Sequence, residues 1–155
     1  MDMNLGRSIR MLVVEDYAPF RFLVATMIRN AAGLKIVGDV ADGLLGVRAA
    51  VHLQPDLITL DIQLPTLNGI EAARHIRRLS PHSRILFLTN EVDPDVLQAA
   101  METGAEGFVH KSDLNDELFE AIKSVMAGTK FVSRGCLGTY APPPATDVAA
   151  SARTT

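Results

Sequence analysis

At 155 residues, with 48% apolar and 21% charged, the chain has the composition of one globular domain and is too short for two ordinary ones. A formal charge of −3 excludes a general electrostatic pull toward nucleic acid or anionic membrane, and a single cysteine, Cys136, excludes an internal disulfide and any multi-cysteine metal site. Met1 to Arg10 is polar and broken by Gly6, so it lacks the apolar stretch of a signal peptide, and the apolar runs downstream are too short to span a bilayer; a cytoplasmic address is expected.

After an N-terminal extension over residues 1–8, short runs rich in Val, Ile and Leu alternate with longer segments of helical periodicity. The first strand, Ile9 to Val14, leads through Glu15-Asp16 into a helix from Pro19 to Ala32, with Phe20, Leu23, Val24, Met27 and Ile28 as its apolar stripe and Gly33 as its stop. A second strand, Lys35 to Val40, precedes a helix after Asp42 marked by Leu44, Leu45, Val47 and Val51. The third strand, Leu57 to Leu60, ends at Asp61, and the turn-rich stretch Leu64 to Gly69 leads into a helix to Leu79, on which Arg74, Arg77 and Arg78 read as a solvated face. The fourth strand delivers Thr89 into a loop, and Asp93-Pro94 reads as a cap and first-turn proline of a short helix. The fifth strand, Gly107 to His110, ends at Lys111, and Ser112-Asp113 caps a last helix before Gly128. Such alternation predicts a five-stranded, doubly wound parallel sheet with helices on both faces, spanning residues 9–128. Residues 129–155 form a C-terminal extension, and its Ala/Pro/Thr-rich part from Thr139 is expected to be flexible.

Glu15, Asp16, Asp61, Thr89 and Lys111 all fall where a strand ends, on the rim where open parallel sheets bind ligands. Any one of them alone would read as a cap or turn residue. Together, Asp16 and Asp61 would bring like charges close, which is costly unless a cation lies between them. Only oxygen donors are offered, so Mg²⁺ (or Mn²⁺) is the expected ion. Asp61 is the nucleophile candidate because the turn after it leaves its carboxylate exposed, while Glu15 and Asp16 divide direct and water-mediated metal contacts. Phosphoryl transfer needs a cation and a hydroxyl around the transferring group, and Lys111 and Thr89 supply them. Lys35, Lys123 and Lys130 are placed elsewhere, and Asp56 lies at the wrong end of its strand. The four histidines lack metal-ligand spacing.

Glu15-Asp16, the segment Leu60 to Pro65 with Asn68-Gly69, Thr89, and Gly107 to Lys111 resemble the motif set of the response-regulator receiver domain. The resemblance implies a flavodoxin-like (βα)5 fold and two-component signalling, with Asp61 as the phosphoacceptor for a sensor histidine kinase or phosphotransfer protein. It further implies Asp16 and the Gln63 backbone carbonyl as metal ligands, and Thr89 and Lys111 as phosphoryl contacts. Phe108 has two readings: a core ring, or a ring that turns inward when Thr89 moves to the phosphoryl group. On the second, the output is the face of the fourth helix, fifth strand and fifth helix, including Val96, Met101, His110 and Lys130, where a downstream protein or a second copy docks. Gln63 and Glu91, each two residues past a motif position, are expected to tune hydrolysis of the phosphoaspartate.

The Lys111-Ser112 step and Phe131-Val132-Ser133 look most like the NarL/FixJ-type subfamily, whose members usually continue into a helix-turn-helix domain. Residues 129–155 lack helical periodicity, so direct DNA binding by this chain is not expected, and either a stand-alone receiver or the receiver half of a truncated regulator fits. A switch without metabolite turnover is the leading reading. An aspartyl-phosphate phosphatase of the haloacid-dehalogenase type is the enzyme rival, but that family wants a second acid where Gln63 stands.

Overall fold

Strand β1 (Ile9–Val14) is apolar at almost every position because both of its faces are covered: Met11 and Val13 pack on one side of the sheet, Leu12 and Val14 on the other. The computed structural model describes residues 7–137. Its elements continue as α1 (Ala18–Arg29), β2 (Leu34–Val40), α2 (Gly43–Leu53), β3 (Leu57–Leu60), α3 (Gly69–Leu79), β4 (Arg84–Thr89), α4 (Pro94–Met101) and β5 (Gly107–His110). A 3₁₀ turn (Lys111–Asp113), α5 (Leu114–Met126), β6 (Phe131–Val132) and α6 (Arg134–Leu137) follow. The strands pair in the order β2-β1-β3-β4-β5-β6, every pair parallel. Val24 and Ile28 of α1 and Leu118, Ile122 and Val125 of α5 cover one face. Val47 and Ala50 of α2, Ala72 and Ile76 of α3, and Leu97 of α4 cover the other. Because β2 and β3 flank β1 on opposite sides, the winding reverses between β1 and β3, and a crevice opens at their carboxyl ends.

The expected alternation is present, with a sixth strand beyond the five anticipated. Residues Phe131–Val132 continue the sheet beside β5, with Phe131 N–H donating to Glu106 O (3.1 Å) and Ser133 N–H to Phe108 O (3.0 Å). Helix α6 then folds back, with Gly135 N–H on Asp113 Oδ2 (2.6 Å) and Arg134 Nε on the buried Glu117 carboxylate (3.0 Å). Asp113 therefore caps α6's approach rather than α5, which has no side-chain cap bond. Residues 1–6 and 138–155, which include most of the expected N-terminal extension and the Ala/Pro/Thr-rich tail, lie outside the described residues.

Helix faces differ from the pattern in three places. Helix α2 buries Gly43, Gly46, Val47 and Ala50 and turns Leu44, Leu45 and Val51 outward. The reason is close approach: a Cβ at Gly46 would lie 2.9 Å from Val14 Cγ1, so small residues must face the sheet. On α1, Leu23 is 41% exposed, leaving Val24 and Ile28 as the buried stripe. Arg77 is not solvated but donates to Glu106 Oε1 (2.6 Å), Gly104 O (2.6 Å) and Ser83 O (3.3 Å), tying α3 to the start of β5.

Candidate functional site

The rim is assembled by backbone hydrogen bonds that continue the ladder past the last paired residues. Glu15 N–H donates to Val40 O (3.0 Å) and Asp61 N–H to Val14 O (3.1 Å), which fixes the two acids at one level. The loop after Asp61 is held by Gly69 N–H on Ile62 O (2.7 Å) and by Asn68, whose Oδ1 caps α3 through Ile70 and Glu71 N–H. A side chain at position 69 would collide with the Asp61 carbonyl oxygen and lie 2.8 Å from Ile62 Cα, so only glycine lets this helix start so near the acid.

Glu15, Asp16 and Asp61 each offer a carboxylate oxygen within 4.8 Å of the others. Asp16 is exposed, whereas Glu15 and Asp61 are 3% and 5% exposed. The expectation of an exposed Asp61 is thus corrected: the following loop folds over it, and the carboxylate is reached through an open hollow lined by Asp61, Gln63, Asn90, Glu91 and Lys111. That hollow measures about 330 Å³, against roughly 30 Å³ for a liquid water, so it admits a solvated phosphoryl group. Lys111 Nζ bridges the buried acids, 2.8 Å from Glu15 Oε1 and 3.0 Å from Asp61 Oδ2. The ammonium also lies over the Phe20 ring, 4.5 Å from its centroid. Burial pushes the Glu15 carboxyl above its usual range, partly offset by Lys111 and by Tyr17 N–H on Oε2 (3.0 Å). Burial pulls Lys111 down, but its bonds to Glu15 and Asp61 outweigh this and leave it raised.

Thr89 is fully buried at the end of β4, its Oγ1 accepting Glu91 N–H (2.8 Å). It lines neither hollow of the rim and lies behind Asn90 and Glu91, which do. Gln63 Nε2 donates to Glu91 Oε1 (3.0 Å), and this bond is the wall between the hollow and a second one lined by Asp16, Asn68 and Val96 among others. Glu91 Oε2 is in turn held by Val92 and Asp93 N–H. Phe108 is buried, 6.0 Å centroid to centroid from Phe87, in the cluster that contains Cys136. The Cys136 thiol is enclosed and raised by burial, as suits a structural residue. Of the expected output-face residues, His110 N–H donates to Ser133 Oγ (2.8 Å) and Lys130 Nζ to Ala105 O (3.2 Å), while Val96 and Met101 pack on the core.

The structure therefore brings together Glu15, Asp16, Asp61 and Lys111, places Gln63 at the mouth, and sets Thr89 and Phe108 on the strands behind. Asp56 is confirmed as remote, bound to Arg7 and to Arg10 N–H (2.9 Å). Asn90 and Phe20 were not singled out by sequence reasoning. Phe20 looks like one more residue of an apolar stripe, and only its position in the first turn of α1, four residues after Asp16, could have signalled a place above the site. The cluster suits a divalent cation, because every donor is oxygen and Lys111 already occupies the two buried acids as a positive charge would. Among the described residues, no helix is long and apolar enough to cross a membrane.

The family model for the response regulator receiver domain matches residues 11–123. The transcriptional regulatory protein LiaR of Bacillus subtilis (strain 168) is 32% identical over 120 residues, covering 77% of this chain and 57% of that protein. The protein-glutamate methylesterase/protein-glutamine glutaminase of Thermotoga maritima is 35% identical over 131 residues, covering 77% of this chain and 38% of that protein. A crystal structure of a two-component response regulator of the LuxR family from Aurantimonas sp. SI85-9A1 superposes with a TM-score of 0.80 at 32% identity, covering 85% of this chain and 94% of that one. Sequence relatives of this kind are longer: the chain spans between 38% and 57% of these two.

Proposed function

This chain belongs to the response regulator receiver domain family, and we propose that it accepts a phosphoryl group on Asp61 from a histidine kinase or phosphotransfer protein and thereby switches a protein-interaction surface. The observation that carries this reading is the Lys111 ammonium held between two buried carboxylates at the mouth of a hollow. A carboxylate oxygen of Asp61 bonds to phosphorus as the bond from phosphorus to the donor's imidazole nitrogen breaks. The electron pair stays on that nitrogen. Lys111 follows the charge from the carboxylate to a phosphoryl oxygen, and the Thr89 hydroxyl donates to another. Mg²⁺ (or Mn²⁺), held by Glu15, Asp16, Asp61 and the Gln63 carbonyl, would supply the charge neutralisation that lets a dianion approach three acids.

The Gln63–Glu91 bond restricts the water that hydrolyses the phosphoaspartate. Movement of Thr89 toward the phosphoryl group loosens its bond to Glu91 N–H, and the change reaches Phe108 and the face of α4, β5 and α5, where a downstream protein or second copy docks. Residues 9–128 form the receiver unit, cytoplasmic in location, and it turns over no metabolite. A second reading, the receiver part of a DNA-binding regulator, is favoured by LiaR, which is a transcriptional regulator of nearly twice the matched length. The primary test is mass spectrometry after incubation with phosphoramidate and Mg²⁺. One phosphoryl group, stable in acid and labile in base, is expected on the wild-type chain and absent from Asp61→Asn; full labelling of the variant would sink the assignment.

A further inference from the structure

We infer that Phe20 is a positioning residue for Lys111, its ring face holding the ammonium where the phosphoryl oxygen arrives; this rests on the receiver reading above. Lysine is a strongly hydrated point charge on a flexible four-carbon stem, so it reaches a fixed point only if its surroundings confine it. Here two of its sides are taken by Glu15 Oε1 and Asp61 Oδ2, at 2.8 and 3.0 Å. The Phe20 ring, with its centroid 4.5 Å from Nζ, adds a further side, and the lysine side chain is left only 12% exposed. An ammonium within about 6 Å of a ring centroid is attracted by the ring's quadrupole, more strongly as water is removed.

The carboxylates and the ring differ in what happens to them during the reaction. Asp61 becomes an acyl phosphate, and Glu15 and Asp61 are the acids a divalent cation takes. Both partners of Lys111 are therefore withdrawn just as the ammonium is needed. The ring is neither ionised nor a metal donor, so its attraction persists through the transfer. It sits on α1, half-buried against the α1/α5 core, and that packing fixes the ring's orientation independently of the acids. An aliphatic residue at position 20 would fill the same space without attracting the charge. The ring also takes the place of water on one side of the ammonium, so less hydration has to be shed when a phosphoryl oxygen binds it.

The test replaces Phe20 by phenylalanine bearing one, two or three ring fluorines, introduced by nonsense suppression, because fluorination drains the ring face of negative potential with little change of shape. Phosphoryl uptake from phosphoramidate and Mg²⁺ should slow in step with fluorine number, by about threefold or more across the series. Phe20→Leu should match the slowest member, and Phe20→Tyr should restore the rate. Equal rates across the fluorinated series would overturn the proposal, since a purely structural ring would give that result. Labelling that survives Asp61→Asn would instead sink the phosphoacceptor reading. Contact itself is tested without any turnover: in protein carrying ¹³Cε-lysine, the Lys111 Hε protons should lie upfield of the other lysines and move back in Phe20→Leu. No ring-current shift would also overturn the proposal.

Discussion

Replacing Lys111 by Met should make the protein less stable and, at the same time, a better ligand for Mg²⁺. The ammonium and the cation claim the same oxygens, since Lys111 bonds Glu15 Oε1 and Asp61 Oδ2 at 2.8 and 3.0 Å in the same three-acid cluster. Both acids are nearly fully buried, so solvent screens the loss little. Removing one partner from a buried ionic cluster typically costs about 3–5 kcal/mol, and the low end applies because the open hollow lets water reach Asp61 once Lys111 is gone. We expect Lys111→Met to lose about 3 kcal/mol in chelator at pH 8. A hydrogen bond to a charged group contributes about 1.5–3 kcal/mol, so a metal spared from breaking even one of them should bind about tenfold tighter. Under saturating Mg²⁺ that factor returns about 1.4 kcal/mol, closing nearly half of the gap. Urea unfolding followed by far-ultraviolet circular dichroism gives the stabilities, and calorimetric titration gives the affinities. Phosphoryl uptake should fall despite the tighter metal. Unchanged or weaker Mg²⁺ binding by a folded Lys111→Met protein would refute the shared-oxygen argument.

Three other outcomes are expected. Gly69→Ala, whose new methyl meets the Asp61 carbonyl, should lose about 1–3 kcal/mol and slow uptake by shifting Asp61; an unaltered urea midpoint would contradict the close approach. Removing the Gln63–Glu91 bond by double alanine substitution should shorten the phosphoaspartate lifetime by roughly threefold, about the factor of one lost hydrogen bond, and an unchanged lifetime would show that this bond does not restrict water. Burial opposes ionisation of Asp56, but Arg7 and Arg10 N–H outweigh it and hold its carboxyl below the ordinary value of 3.8. The unfolded chain then binds that proton more strongly, so the stabilisation is present above 3.8 and fades as pH falls through the lower folded value. Wild type and Asp56→Asn should therefore converge in stability in strong acid, and a constant difference would contradict it.

Strand positions and the polar residues at their ends were legible because each strand buried on both faces reads as an unbroken apolar run, and the first polar residue after it marks the rim. Asp61 was legible as a residue but not in its exposure: the loop that encloses it depends on a contact between Gly69 and a carbonyl eight residues earlier, which no local pattern encodes. The buried face of α2 was hidden for a similar reason. Its spacing between helix and sheet is set by Val14 against Gly46, and that turns three large apolar residues outward against their periodicity. Arg77 reads as solvent-facing on α3 alone; its partners Gly104 and Glu106 arrive from beyond the next strand. Strand β6 is two residues long and gave no periodic signal at all.

That two-residue strand decides what the sheet offers to other chains. A bare rim strand invites a stranger's backbone to extend the ladder, which is the route to clumping. Here one rim, β2, slips register beside Met11 and Leu12 and carries the charged Lys35 and Asp39, both poor templates for a continuing strand. The other rim would be Gly107–His110, a near-fully buried tetrapeptide, had residues 131–132 not already taken its backbone groups. A protein cut after Gly128 would keep every group of the phosphoryl site yet present that strand naked. Where such a fragment is made for study, its solubility rather than its chemistry is what the cut endangers.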